Sequence, residues 1–212
     1  MNNSKIALVD IWGTILLERN VGLNEERARI LYQKTKEKTI LFWKIELEKN
    51  IKEFKKQEKR GYTISAKKRI KQILTKNNIY FSNKKIKQII DEFDNLILTK
   101  YLPELNSMLC NNIISKFDDI VLVSNTGLTT KKCTVEILKK LKFYNYIKDM
   151  YFSEDYKYCK PNLKFFKMIL KKLEVSNKDV IFIGDSFRND YKPCSRLKIK
   201  CYLVSDYYEK FI

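Results

Sequence analysis

KIALVDIWGT, residues 5–14, sets an apolar run directly before a carboxylate, Asp10, with Trp12 standing between that acid and a Gly13-Thr14 turn. The run from Ile6 to Val9 is short, aliphatic and uninterrupted, which predicts a strand buried on both faces, as parallel strands are. A carboxylate at the tip of such a strand lies where open parallel sheets collect their reactive groups.

The rest of the chain repeats the pattern after a long interruption. Between residues 16 and 102 the periodicity is helical and no strand-like run stands out. Trp43, Leu47, Ile51 and Phe54 recur at steps of four, four and three until Gly61; Ser65 precedes a helix bearing Ala66, Ile70 and Ile73; Ser82 precedes one bearing Ile86, Ile89, Ile90, Phe93 and Ile97. Pro103 disfavours helix at Leu102 and is placed to open the next one. Beyond it, strands and helices alternate: DIVLVSNTG with a strand over 120–123, a helix over 130–141, DMYFSE, a helix over 163–173, DVIFIGDS, and KCYLVSD as the closing strand. That alternation predicts an α/β fold, a Rossmann-like parallel sheet with helices on both faces. The expected organisation is a core formed by residues 1–15 and 103–212, with an inserted α-helical domain at 16–102.

The strand-end rule then gathers a set of side chains on one rim: Asp10, Ser124, Lys160, Asp185 and Asp190. Three carboxylates so placed repel one another unless a cation lies among them, and oxygen ligands beside a phosphate suit Mg2+. A serine and a lysine on the same rim suit the remaining phosphate oxygens. Read singly, each residue has a plainer explanation as a strand end, a turn former, a helix cap or a surface lysine. Their succession at strand ends favours a magnesium-phosphate site.

Composition narrows the functional classes. The 212 residues, 44% of them hydrophobic, suffice for a sizeable core. A net charge of +18 would suit a polyanion, yet lysines are spread through nearly every segment, so nucleic acid is unlikely as a partner and a small anionic substrate is the expected one. Five cysteines without CxxC spacing, in a chain with no histidine, argue against zinc and for reduced thiols in a cytoplasmic protein. No run approaches a membrane span or a signal-peptide core.

Four motifs in order resemble those of the haloacid dehalogenase superfamily: VDIWGT its first, VLVSN its second, KYCKPN its third and IFIGDSFRND its fourth. The helical block stands where that family inserts a cap domain. The resemblance implies a magnesium-dependent phosphatase acting on a small phosphorylated metabolite. In it Asp10 is the nucleophile that forms an aspartyl-phosphate. Asp10, the Trp12 carbonyl, Asp185 and Asp190 hold the metal. Thr14, Ser124, Asn125 and Lys160 bind the phosphoryl group, Ser124 and Lys160 also assisting catalysis.

Trp12 departs from that pattern, because family phosphatases usually carry a second aspartate there to protonate the leaving group. An indole offers only a neutral N–H. Three readings follow: a phosphohydrolase that takes its acid from elsewhere, a metal-independent carbon-heteroatom hydrolase of the dehalogenase kind, or a weakly active phospho-ligand binding protein. The retained Asp185 and Asp190 favour the first. Within the helical block Tyr32, Phe42, Trp43 and Tyr62 are expected chiefly in its core, and Arg19, Arg27, Arg29, Arg60 and Arg69 are candidates for an anionic substrate, with no sequence feature to rank them.

Overall fold

The apolar runs fold as strands and the periodic segments as helices. The computed structural model describes residues 6–18 and 21–212, so Arg19 lies outside the described residues. β1 (Ile6–Val9) and a two-residue β2 (Leu16–Leu17) lead into α1 (Leu23–Thr35), α2 (Ile40–Glu58), α3 (Ala66–Lys76) and α4 (Asn83–Thr99). β3 (Glu104–Leu105), α5 (Ser107–Lys116), β4 (Asp119–Ser124), α6 (Lys131–Lys140), β5 (Ile147–Phe152) and α7 (Leu163–Leu173) follow, and β6 (Val180–Gly184), α8 (Lys192–Arg196), β7 (Lys200–Leu203) and α9 (Val204–Phe211) complete the order.

Five strands pair in parallel in the order β5-β4-β1-β6-β7, with β1 central and its Leu8 opposite Val121 and Phe182. Successive strand residues face opposite sides, so both sides need cover. Ala7, Val9, Leu122 and Ile183 pack with Leu109 and Ile113 of α5, Ile137 of α6 and Tyr207 of α9. Leu8, Val121, Val123 and Phe182 pack with Phe165, Phe166 and Ile169 of α7 and Cys194 of α8. The expected α/β architecture is thus observed.

The helices α1–α4 bury a separate apolar cluster around Leu31, Trp43, Leu47, Ile70, Ile89 and Phe93. Their starts follow the capping chemistry in the sequence: Thr39, Ser65 and Ser82 accept from the backbone N–H three residues on, at 3.1, 3.4 and 3.3 Å. Ser82→Ala should therefore lower stability by about 1 kcal/mol, read as a shift in urea midpoint with an unchanged slope.

Several local expectations are corrected. Pro103 opens no helix; α5 begins at Ser107, where the Asn106 side chain accepts from Leu109 N–H at 3.5 Å. Leu16–Leu17 and Glu104–Leu105 pair antiparallel, a ribbon that fastens the two crossings into and out of the helical segment. α1 is a further helix whose buried face includes Arg27, so its periodicity is weak. KCYLVSD is strand only to Leu203, after which the chain turns helical. Among the described residues no helix is long and apolar enough to cross a membrane.

Candidate active site

The site forms at the carboxyl ends of β1, β4 and β6. Asp10 extends the ladder by one bond, its N–H donating to Ile183 O at 2.9 Å, and the residue is 7% exposed. The chain then turns tightly, with Ile15 and Leu16 N–H both donating to Ile11 O. Gly13 has φ +79°, and a Cβ there would lie 2.6 Å from Asp185 Oδ2. Glycine is therefore required twice over, by backbone conformation and by the approach of that carboxylate. After β6, Ser186 caps a single wide helical turn (Phe187–Tyr191) that folds Asp190 back beneath the rim, where its Oδ2 accepts from Ser186 N–H at 3.0 Å.

Lys160 lies at the centre of this arrangement. Its Nζ stands 2.6 Å from Asp10 Oδ1 and 2.8 Å from Asp190 Oδ1, and the side chain is buried. Burial works against its charge, but the two carboxylates outweigh it and hold the ammonium above the ordinary lysine range. Burial pushes Asp10 up to about 6 against the pull of Lys160, with Asp185 adding repulsion. Asp190 is pushed to about 6 in the same way, and burial also raises Asp185, helped by Asp190.

Oxygens of Asp10, Asp185 and Asp190 all lie within 4.8 Å of one another. One ammonium among three carboxylates leaves two negative charges, which a divalent cation would neutralise, and an all-oxygen donor set is the one magnesium takes. These residues fit the ion.

Ser124, at the end of β4, is buried with its hydroxyl 3.3 Å from Asn125 O. Asn125 is committed elsewhere by its side chain: Nδ2 donates to Lys160 O at 2.9 Å and to Glu58 Oε1 at 2.8 Å, and Oδ1 accepts from Lys160 N–H at 2.9 Å. It therefore positions the lysine loop, and only its backbone remains for a phosphoryl group. Thr14 is set apart from the others. It is fully buried, its hydroxyl has no hydrogen-bond partner among the described residues, and it does not line the cavity above Asp10.

That cavity, of about 240 Å³, is walled by Asp10, Ser124, Lys160 and Asp185 together with Trp12 and Glu58. A second cavity of about 380 Å³ adjoins it between the sheet and the helical segment, and Trp12, Glu58 and Asn125 line both. Arg27 and Arg69 line the second cavity, each nearly fully buried and each with a guanidinium nitrogen lacking a hydrogen-bond partner among the described residues. Arg29 instead pairs with Glu25 on the surface, and Arg60 is exposed. Of the four aromatics, Trp43 is buried in the helical cluster and Phe42 packs against it, whereas Tyr32 and Tyr62 are more than a third exposed; none of the four lines either cavity.

The segment following α2 lies across the lysine loop. Cys159 N–H donates to Gly61 O at 3.1 Å, Ser153 Oγ lies 3.3 Å from Thr63 Oγ1, and Arg188 donates to Lys59 O at 3.3 Å. On the far side Asp94 of α4 accepts from Thr130 N–H at 3.1 Å and from Thr130 Oγ1 at 2.5 Å. These contacts bring Glu58 to the rim, a placement sequence reasoning missed. α2 carries Glu46, Glu48, Glu53 and Glu58, and only tertiary packing selects the one that reaches Asn125.

Comparison with known proteins points to the same fold. The glyceraldehyde 3-phosphate phosphatase of Methanocaldococcus jannaschii is 33% identical over 75 residues, 35% of this chain and about a third (32%) of that protein's length. Among solved structures, a HAD family enzyme from Bacteroides thetaiotaomicron in complex with magnesium and inorganic phosphate aligns over 94% of this chain and 93% of its own, with TM-score 0.60 and 20% identity. A 2-haloacid dehalogenase from Pseudomonas syringae aligns over 93% and 84%, with TM-score 0.63 and 13% identity. The two likenesses establish a shared fold, which does not by itself fix the chemistry. The family model for haloacid dehalogenase-like hydrolases matches residues 7–204, and the chain belongs to that family.

Proposed function

We propose that the protein is a magnesium-dependent phosphohydrolase of small phosphorylated metabolites, with residues 16–102 acting as a cap over a core of residues 1–15 and 103–212. The observation that carries this reading is the buried Lys160 ammonium held between Asp10 and Asp190, with Asp185 completing an oxygen cluster. Carbon-heteroatom hydrolysis through an alkyl ester needs no cation for the paired acids Asp185 and Asp190 to hold, whereas the phosphoryl reading uses every member of the cluster.

In this reading Asp10 attacks phosphorus and forms an acyl phosphate that water then cleaves. Lys160 draws the phosphoryl oxygens toward Asp10 and offsets repulsion between two anions, while the Ser124 hydroxyl and the Asn125 backbone hold the remaining oxygens. Asp10, Asp185, Asp190 and the Trp12 carbonyl would hold magnesium, which supplies charge neutralisation at the phosphoryl group. Asp190 also fixes Lys160 from behind. The leaving group would occupy the cavity between sheet and cap, where Arg27 and Arg69 favour an anionic or polyhydroxylated one. Five unpaired thiols suit a reducing cytoplasm.

The test is hydrolysis of nitrophenyl phosphate and acetyl phosphate with and without magnesium. Magnesium-dependent turnover is expected, and Asp185→Ala should move the magnesium midpoint upward by at least about tenfold, since even outer partners of a metal site cost that much. Turnover indifferent to magnesium would contradict the metal assignment. No turnover by the folded protein would favour a carbon-heteroatom substrate or a binding role.

A further inference from the structure

Expelling an alkoxide from phosphorus releases a strong base, and a proton donor beside the departing oxygen lowers that cost. The donors available are few. The chain has no histidine, and Trp12, beside Asp10, has no acidic proton. Asp10 is the attacking group, Asp185 belongs to the oxygen cluster, and Asp190 is fully buried behind Lys160. Lys160 is locked between two carboxylates that hold its proton more tightly than usual.

Glu58 is the remaining acid on the wall of the Asp10 cavity. Of the three residues that line both cavities, Trp12, Glu58 and Asn125, it alone carries a carboxyl group, and it stands where phosphoryl group and leaving group would meet. Its Oε1 accepts from Asn125 Nδ2 at 2.8 Å, and the same amide clamps the Lys160 main chain through two further bonds. One side chain thus fixes the acid relative to the lysine that holds Asp10.

We propose that Glu58 is a catalytic residue, the proton donor to the leaving oxygen. The proposal rests on the phosphohydrolase reading. In the first step the bond from phosphorus to the leaving oxygen breaks, the bond from Asp10 to phosphorus forms, and the Glu58 proton passes to the departing alkoxide. In the second, water attacks phosphorus, the bond to Asp10 breaks, and Glu58 takes the proton of that water, which restores both carboxyl groups. Because Glu58 arrives from the end of α2, the acid is present only when the helical segment lies against the lysine loop.

The test uses the full chain with magnesium and a series of aryl phosphates from nitrophenyl, a good leaving group, to phenyl, a poor one. Glu58→Gln keeps the shape and the acceptor for Asn125 but removes the acid. Its kcat/KM, which reports transfer to Asp10 alone, is expected to fall about 10²-fold or more on phenyl phosphate and far less on nitrophenyl phosphate, steepening the dependence on leaving group. Glu58→Asp, an acid with shorter reach, should fall between. An equal loss across the series, or no loss, would overturn the assignment and leave Glu58 as a packing or binding residue. Absence of turnover by the unaltered protein on every member, or full activity of Asp10→Asn, would instead overturn the phosphohydrolase reading itself.

Discussion

Asp10→Asn is expected to abolish turnover, by on the order of 10⁴-fold or more, while the protein stays folded. The amide keeps the size of the carboxyl and has no charge to attack phosphorus. Stability should hold or rise in the absence of magnesium. Burial raises the carboxyl toward about 6, which means that the ionised group is held at a cost, and a neutral amide removes that cost. Lys160 keeps Asp190 as a partner at 2.8 Å. A function-for-stability trade of this kind is usual where a site concentrates like charges. Near-normal activity in the variant would remove Asp10 as nucleophile, and an unfolded variant would show that the carboxylate is needed for the fold.

Lys160→Met has the second large effect, and it acts on both activity and stability. Methionine fills a similar volume, but Asp190, with no exposed surface, then loses its only cationic partner among the described residues. Breaking a buried pair by removing one member typically costs about 3–5 kcal/mol, far more than the pair contributes in comparison with apolar residues. Urea unfolding in chelator should show that loss, and magnesium should recover part of it by supplying the missing positive charge. Equal stability of variant and parent in chelator would mean that the carboxylates do not depend on the lysine.

Most of the core was legible in the sequence because its strands are buried on both faces and therefore appear as unbroken apolar runs. Ile6–Val9, Val121–Val123 and Ile181–Ile183 all read this way, and each is followed within two residues by the one that reaches the rim, Asp10, Ser124 and Asp185. The helix Leu163–Leu173 was legible to the residue, since Phe165, Phe166 and Ile169 recur at helical spacing. β2 and β3 were not, because two residues carry no period. α1 was hidden by its own buried arginine, whose polar head is accommodated by Thr129 Oγ1 at 3.2 Å and by the Phe93 ring.

The site divides along the same line. Residues fixed by strand ends, Asp10, Ser124 and Asp185, follow from topology, and Lys160 and Asp190 follow from the loops attached to them. Glu58, Arg27 and Arg69 do not, because helices of this charge density offer many acids and bases, and docking against the core decides which of them turn inward. Asn125 was legible as a residue of the site, while its clamp on the lysine loop depends on a fold-specific approach of residues 35 apart in sequence.

A covalent bond between Asp10 and phosphorus is the step on which the proposed phosphohydrolase chemistry turns. Rapid acid quench during turnover of acetyl phosphate, followed by mass spectrometry of the peptide that carries Asp10, tests it directly. One phosphoryl group on Asp10, absent from the Asp10→Asn protein, is the predicted result; turnover with Asp10 unmodified, or with phosphate on another residue, would contradict it.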